Sequence, residues 1–232
     1  LKDSYISIAE SLIHAGAKNK TKVNLHWIHS SKLEGEEYSS LLKNVNGIIV
    51  APGFGSRGIE GKVNAVNYAR INKIPFLGIC LGMQCAVVEF ARNVLKMKNA
   101  NSIEINPETK FPVISMMEEQ KKLKKMGGTM RLGSYSCDVK KGSLLHKIYL
   151  KDTISERHRH RFEFNNQYLN DFESNGMIFS GINRKNQLME TIEISDHPWF
   201  VGVQFHPEYK STVENPHPIF LGLIEAGLKH SS

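Results

Sequence analysis

Residues 75–90 read PFLGICLGMQCAVVEF. Pro75 to Ile79 is an unbroken apolar run of the length of a buried strand. Leu81 to Val94 carries apolar residues at helical spacing. Only Cys80 separates the two, within Gly78-Ile79-Cys80-Leu81-Gly82, so the stretch predicts a strand turning straight into a helix. A strand apolar on both faces, joined to a helix, is the unit of a parallel sheet covered on both sides.

The same alternation continues outward. Gly47 to Ala51 (GIIVA) is a second short apolar run, opening into the breaker-rich PGFGSRG of residues 52–58. Ile59 to Asn72 returns to helical spacing through Val63, Val66 and Ala69. Asp3 to Ala15 predicts another helix through Tyr5, Ile8, Leu12 and Ala15, with Asp3 or Ser4 as its cap and Gly16 as its stop. Val23, Leu25 and Trp27 alternate as a strand does. The second half is richer in strands, expected near Met130 to Val139, Phe162 to Phe164, Met177 to Ile182, Leu188 to Ile194 and Phe200 to Phe205, before a last helix over Ile219 to Lys229. The expected fold is α/β, a largely parallel central sheet flanked by helices with additional antiparallel strands. Functional residues then collect at the carboxyl ends of strands, in PGFGSRG and GICLG. Met116 to Met126 shows no core pattern and is expected to be a mobile insertion. With no internal repeat or linker, residues 1–232 are expected to form a single domain.

Composition narrows the class. Of 232 residues, 41% are hydrophobic and 23% charged, the balance of a globular protein with a sizeable core. No apolar run approaches the roughly 20 residues that cross a bilayer, and no secretory signal pattern opens the chain. Three scattered cysteines suit neither a disulfide framework nor a metal knuckle, which points to a reduced, cytoplasmic setting. The net charge of +7 concentrates in KKLKK (Lys121 to Lys125) and RHRHR (Arg157 to Arg161). A nucleic-acid-binding module is therefore an alternative, against a solvated basic edge.

The Gly-x-Cys-x-Gly turn holds Cys80 as a nucleophile elbow would. At the amino end of a helix, the dipole favours a thiolate, and unpaired N–H groups can receive an oxyanion. Taken locally, Cys80 also fits a small buried core residue. Cys85 lies about 140° round the helix from Cys80 and should face the core, whereas Gln84 is on nearly the same face as Cys80. Cys137 sits in a strand-like run with no motif around it.

A cysteine nucleophile needs a base. In FVGVQFHPEY (residues 200–209), an apolar strand ends and His206-Pro207-Glu208 follows. Proline stops the strand and stiffens the corner, and a carboxylate two residues on can orient the imidazole. His197-Pro198 and His217-Pro218 lack that carboxylate.

GICLGMQ and QFHPE together resemble the signatures of the class I, triad-type glutamine amidotransferases. GFGSRGIEGK, ANSIEINP, GGTMRLG and ERHRHRFEFN narrow the resemblance to the glutaminase domains of CTP synthases, over essentially the whole chain. It implies hydrolysis of L-glutamine to glutamate and ammonia through a γ-glutamyl thioester. Cys80 would be the nucleophile, His206 the general base and acid, and Glu208 the orienting carboxylate. Gly53 and Leu81 N–H groups would form the oxyanion hole, and Phe54, Gln84, Glu104 and Arg161 would hold the substrate, with no metal needed. A carboxylate suits the α-ammonium of glutamine, and a guanidinium suits its α-carboxylate.

Pro52 departs from the family's pattern: it replaces a glycine and lacks an N–H, so Gly53 is expected to supply the loop's donor. The resemblance further implies an N-terminal synthetase domain, absent from this sequence, that uses ATP and Mg to aminate UTP to CTP. GTP would act as an allosteric activator, and the full enzyme would be a homotetramer. An amidotransferase of GMP synthesis would lack GGTMRLG and RHRHRFE. A stand-alone γ-glutamyl hydrolase would need no partner domain.

Overall fold

The computed structural model describes residues 2–116 and 130–231. Helix α1 (Ile6–Lys18) precedes strand β1 (Ile48–Val50), helix α2 (Ile59–Ile71), strand β2 (Phe76–Ile79) and helix α3 (Leu81–Asn93). Then come β3 (Asn101–Ser102), β4 (Pro112–Met116), β5 (Arg131–Val139), helix α4 (Leu144–Tyr149), β6 (Thr153–His160) and β7 (Phe162–Phe164). Helix α5 (Leu169–Ser174), β8 (Met177–Asn183), β9 (Leu188–Ile194), β10 (Phe200–Val203) and helix α6 (Pro218–His230) complete the order.

The main sheet runs β1-β2-β10-β9-β8-β5-β6. β2 pairs in parallel with β1 and β10, and the remaining strands extend the sheet antiparallel. A second sheet is ordered β3-β4-β7. The apolar run of β2 is explained by its two covered faces. Phe76 packs with α2 and α3 residues such as Val66, Val87 and Phe90. Leu77 and Ile79 pack with Leu12 of α1 and with Phe220 and Leu223 of α6. Phe200 of β10 sits opposite Phe76, the rings stacked 4.3 Å apart.

Several sequence expectations change. Residues 21–29 join no ladder; Val23 and Leu25 pack half-buried against the cluster that includes the α1 face, while Trp27 is exposed. Their alternation reports one-sided packing, which needs no strand partner. α1 runs past Gly16 to Lys18, with Tyr5 as its N-cap and no side-chain cap bond. Gly16 permits contact rather than ending the helix: a Cβ there would lie 2.6 Å from Val23 Cγ2 and 2.9 Å from Thr21 O. Strand β6 was not expected, because its period-two pattern is written in charged residues. Ile154, Glu156, His158 and His160 point inward while Ser155, Arg157 and Arg159 point out. Met116 ends β4; the rest of the expected insertion, 117–126, and the KKLKK run lie outside the described residues. Among the described residues, no helix is long and apolar enough to cross a membrane.

Candidate active site

Cys80 occupies the step between β2 and α3 with φ 52° and ψ −105°. A non-glycine residue there carries about 1–3 kcal/mol of backbone strain. The turn is held because Cys80 N–H donates to Val203 O of β10 at 2.7 Å, and Cys80 O accepts from Gln84 N–H at 3.2 Å. The flanking glycines do not take the left-handed angle; they allow close approach. A Cβ on Gly82 would lie 2.0 Å from Val50 O of β1, and one on Gly78 would lie 2.7 Å from Gly82 C. The start of α3 is thereby seated directly on the carboxyl ends of the parallel strands.

One cavity is lined by Gly53, Phe54, Cys80, Leu81, Gln84, Glu104 and Arg161, together with Met130, His160 and Phe162. Seven of the residues expected at the site thus share one wall system, though they come from four separate chain segments. Glu104 follows β3, where Ser102 Oγ accepts its N–H at 3.2 Å, and its Oε1 accepts from Gly55 N–H at 3.4 Å. Arg161 stands at the break between β6 and β7. Phe54 is exposed, with the Arg159 guanidinium 5.9 Å from its ring centre.

Gln84 Nε2 donates to Phe162 O at 3.0 Å and to Gln204 Oε1 at 3.2 Å. Those bonds use both amide hydrogens, so its carbonyl oxygen is what remains to meet a ligand.

His206 and Glu208 are buried at the turn after β10, and Nδ1 of the imidazole is 2.7 Å from Glu208 Oε1. A carboxylate accepts, so Nδ1 carries the proton and Nε2 is left as a base. Nε2 is buried with no hydrogen-bond partner among the described residues. Tyr209 stacks on the imidazole at 5.2 Å and 15°, fixing its plane. Strand β6 touches both this turn and the thiol. Arg157 O accepts from His206 N–H at 2.8 Å, and Arg159 O lies 4.0 Å from Cys80 Sγ. Residues two apart on one strand present carbonyls to the same edge about 7 Å apart, so the Cys80 thiol and the His206 backbone meet the same edge of β6. His206 and Glu208 are not among the residues that line the cavity.

Burial pushes the Cys80 thiol up to about 12; the Leu81 N–H and, more weakly, Lys62 oppose this, while Glu208 and Glu163 reinforce it. Helix position alone therefore does not make a standing thiolate. Cys85 faces the core, pushed up to about 12 by burial, and Cys137 is likewise buried.

Behind the cavity lies a charged cluster that the sequence reading did not identify. Arg131 of β5 donates to Glu163 Oε1 of β7 at 3.1 Å and to both carboxylate oxygens of Glu190 of β9, at 2.8 and 3.3 Å. His160 Nδ1 is 3.3 Å from Phe162 O, an acceptor, so Nδ1 is protonated; His160 Nε2 then accepts from His158 Nδ1 at 2.8 Å. Burial drives both imidazoles far below their ordinary range, His158 to about 2. Period-two alternation of Arg and His from 157 to 160 is the signal that would have found this strand.

The family model for "Glutamine amidotransferase class-I" matches residues 1–226. The CTP synthase of Christiangramia forsetii is 55% identical over 231 residues, covering 100% of this chain and 42% of that protein. The CTP synthase of Cytophaga hutchinsonii is 58% identical over 226 residues, covering 97% and 42%. The chain thus spans about two-fifths of the length of these curated relatives. The solved glutaminase domain of Trypanosoma brucei CTPS, with bound acivicin, superposes with a TM-score of 0.92 at 35% identity, covering 98% of this chain and 89% of that one.

Proposed function

The chain belongs to the class-I glutamine amidotransferase family, among the glutaminase domains of CTP synthases, and from that premise we propose that it hydrolyses L-glutamine through Cys80, His206 and Glu208. The observation that carries this reading is the position of Cys80. It is held at positive φ, facing a cavity that also gathers Gly53, Gln84, Glu104 and Arg161. The acivicin complex of the solved relative supports glutamine as the substrate.

Because burial favours the neutral thiol, proton transfer accompanies attack. His206 Nε2 takes the thiol proton as sulfur bonds to the side-chain amide carbon, and the carbonyl oxygen becomes an oxyanion facing the N–H groups of Gly53 and Leu81. Collapse breaks the C–N bond, and His206 gives its proton to the departing nitrogen. Ammonia leaves and a γ-glutamyl thioester remains. Water then attacks the thioester carbon, His206 takes its proton, and glutamate departs as that proton returns to sulfur. Glu208 holds the imidazole tautomer and stabilises its cation in both halves. Glu104 with the Gln84 carbonyl suits the substrate's ammonium, and Arg161 its carboxylate. In the longer polypeptide, ammonia would pass to a synthetase domain that aminates UTP to CTP with ATP and Mg, under GTP stimulation, in a homotetramer. No residue of this chain is assigned to those groups.

The test is labelling by a glutamine-mimicking diazoketone, followed by peptide mass mapping of the full-length protein. Modification of Cys80 alone is expected, with parallel loss of glutaminase turnover. Label on Cys85 or Cys137 instead, or none at all, overturns the reading.

A further inference from the structure

Pro52 leaves the loop between β1 and α2 with an unusual hydrogen-bond inventory. The Ala51–Pro52 peptide has no N–H, so its sole polar handle is Ala51 O. That oxygen accepts from Lys62 Nζ at 2.8 Å. The next peptide, Pro52–Gly53, has both handles, and Pro52 O accepts from the Tyr5 hydroxyl at 3.1 Å. Gly53 N–H has no acceptor among the described residues. No cis peptide occurs among the described residues, and in a trans peptide C=O and N–H point in opposite directions from one plane. Anchoring Pro52 O on one side therefore aims Gly53 N–H to the other. Gly53 lines the cavity beside Cys80 and Leu81.

Both anchors are themselves supported. Tyr5 is half-buried at the N-cap of α1, its ring stacked on Trp27 at 6.4 Å. Lys62 lies on the first turns of α2, where burial lowers its pKa and the thiols of Cys85 and Cys80 oppose that shift. A Cβ on Gly53 would lie 3.4 Å from Lys62 Nζ and 3.4 Å from Leu81 Cδ2, so both side chains bound the loop.

We propose that Tyr5 and Lys62 are positioning residues that lock the Ala51–Pro52–Gly53 backbone so that Gly53 N–H serves as an oxyanion donor. This rests on the glutaminase reading above. Without the Tyr5 hydroxyl, the Pro52–Gly53 plane is free to rotate, and the donor is correctly aimed for only part of the time. The substrate's ground state hardly senses this; the oxyanion does.

The test compares Tyr5→Phe with wild type in the full-length protein, reading glutamine turnover and, separately, alkylation of Cys80 by chloroacetamide. Alkylation displaces chloride and forms no oxyanion. Tyr5→Phe is expected to lower kcat about five- to tenfold, the scale of one lost hydrogen bond. KM should stay within about twofold, with Cys80 alkylation unchanged. Lys62→Met is expected to lower kcat similarly and to slow alkylation too, since it also removes a positive charge near Cys80. Wild-type kcat in either variant overturns the proposal. So does a Tyr5→Phe whose KM rises at constant kcat, or whose alkylation falls in step with turnover. A wild-type protein without glutaminase activity overturns the underlying reading instead, and this inference with it.

Discussion

The β1–β2–β10 side of the main sheet and its β5–β6–β9 side bury opposite kinds of side chain. On the first, Phe76, Leu77, Ile79, Phe200, Val201 and Val203 fill two apolar layers. On the second, Arg131, His158, His160 and Glu190, with Glu163 of the smaller sheet, are almost wholly removed from water. The apolar side carries Cys80, the proposed nucleophile, where tight packing can hold a strained turn. The ionic side reaches the cavity through His160, and its fixed charges need partners of their own. Rigidity comes from dispersion on one side and from a hydrogen-bonded polar cluster on the other.

If that division of labour is right, mutations on the two sides should separate chemistry from stability. The largest effect is expected from Cys80→Ala, lowering kcat at least about 10⁴-fold while the melting temperature holds or rises. A fall in melting temperature matching that of a core deletion would break the comparison. Glu208→Gln should cost about 10³- to 10⁴-fold in kcat through loss of the imidazole tautomer, again with little effect in urea denaturation. Arg131→Met should do the reverse. Leaving the buried Glu190 carboxylate without its cation, and Glu163 without its donor, is expected to cost about 3–5 kcal/mol in urea unfolding, and turnover per folded molecule should suffer less than in the first two.

The smallest effect on turnover sharpens the ionic side alone. Burial raises Glu163 to about 8, against the pull of Arg131, from an ordinary 4.5. The folded protein thus retains a proton that the unfolded chain releases, and the corresponding stability is full below about pH 4.5 and lost as pH rises toward 8. Glu163→Gln mimics the protonated form and does not titrate. Its melting temperature should match wild type near pH 5 and exceed it by a growing margin up to pH 8. A constant difference across that range would show Glu163 to be ionised throughout.

This contrast also governs how far the sequence could be read. Hydrophobic periodicity marks β2, α2, α3 and β10, because burial there is apolar and both faces are covered. The same logic places Cys80 and His206, each next to a strand end and a breaker. It misses β6, whose buried face is Glu156, His158 and His160, since polarity scales count those residues as solvent-facing. It overstates residues 23–27, where alternation arises from packing on one side without a ladder. Residues such as Tyr5, Lys62 and Tyr209 act through contacts distant in sequence or through ring stacking, and no local pattern announces them. The role assigned to Gly78 and Gly82 also needed three dimensions: what they avoid is a carbonyl of β1 and each other.

The left-handed angle at Cys80 has an evolutionary reading. Glycine reaches φ 52° without the penalty that a cysteine incurs, so exchanging Cys80 for glycine would relieve backbone strain while, on the proposed mechanism, abolishing the chemistry. A lineage released from the need to hydrolyse glutamine would therefore find its first inactivating step downhill. On the proposed mechanism the thiol would be kept at that position only by selection for turnover, and decayed copies should be recognisable by a third glycine in the middle of the turn.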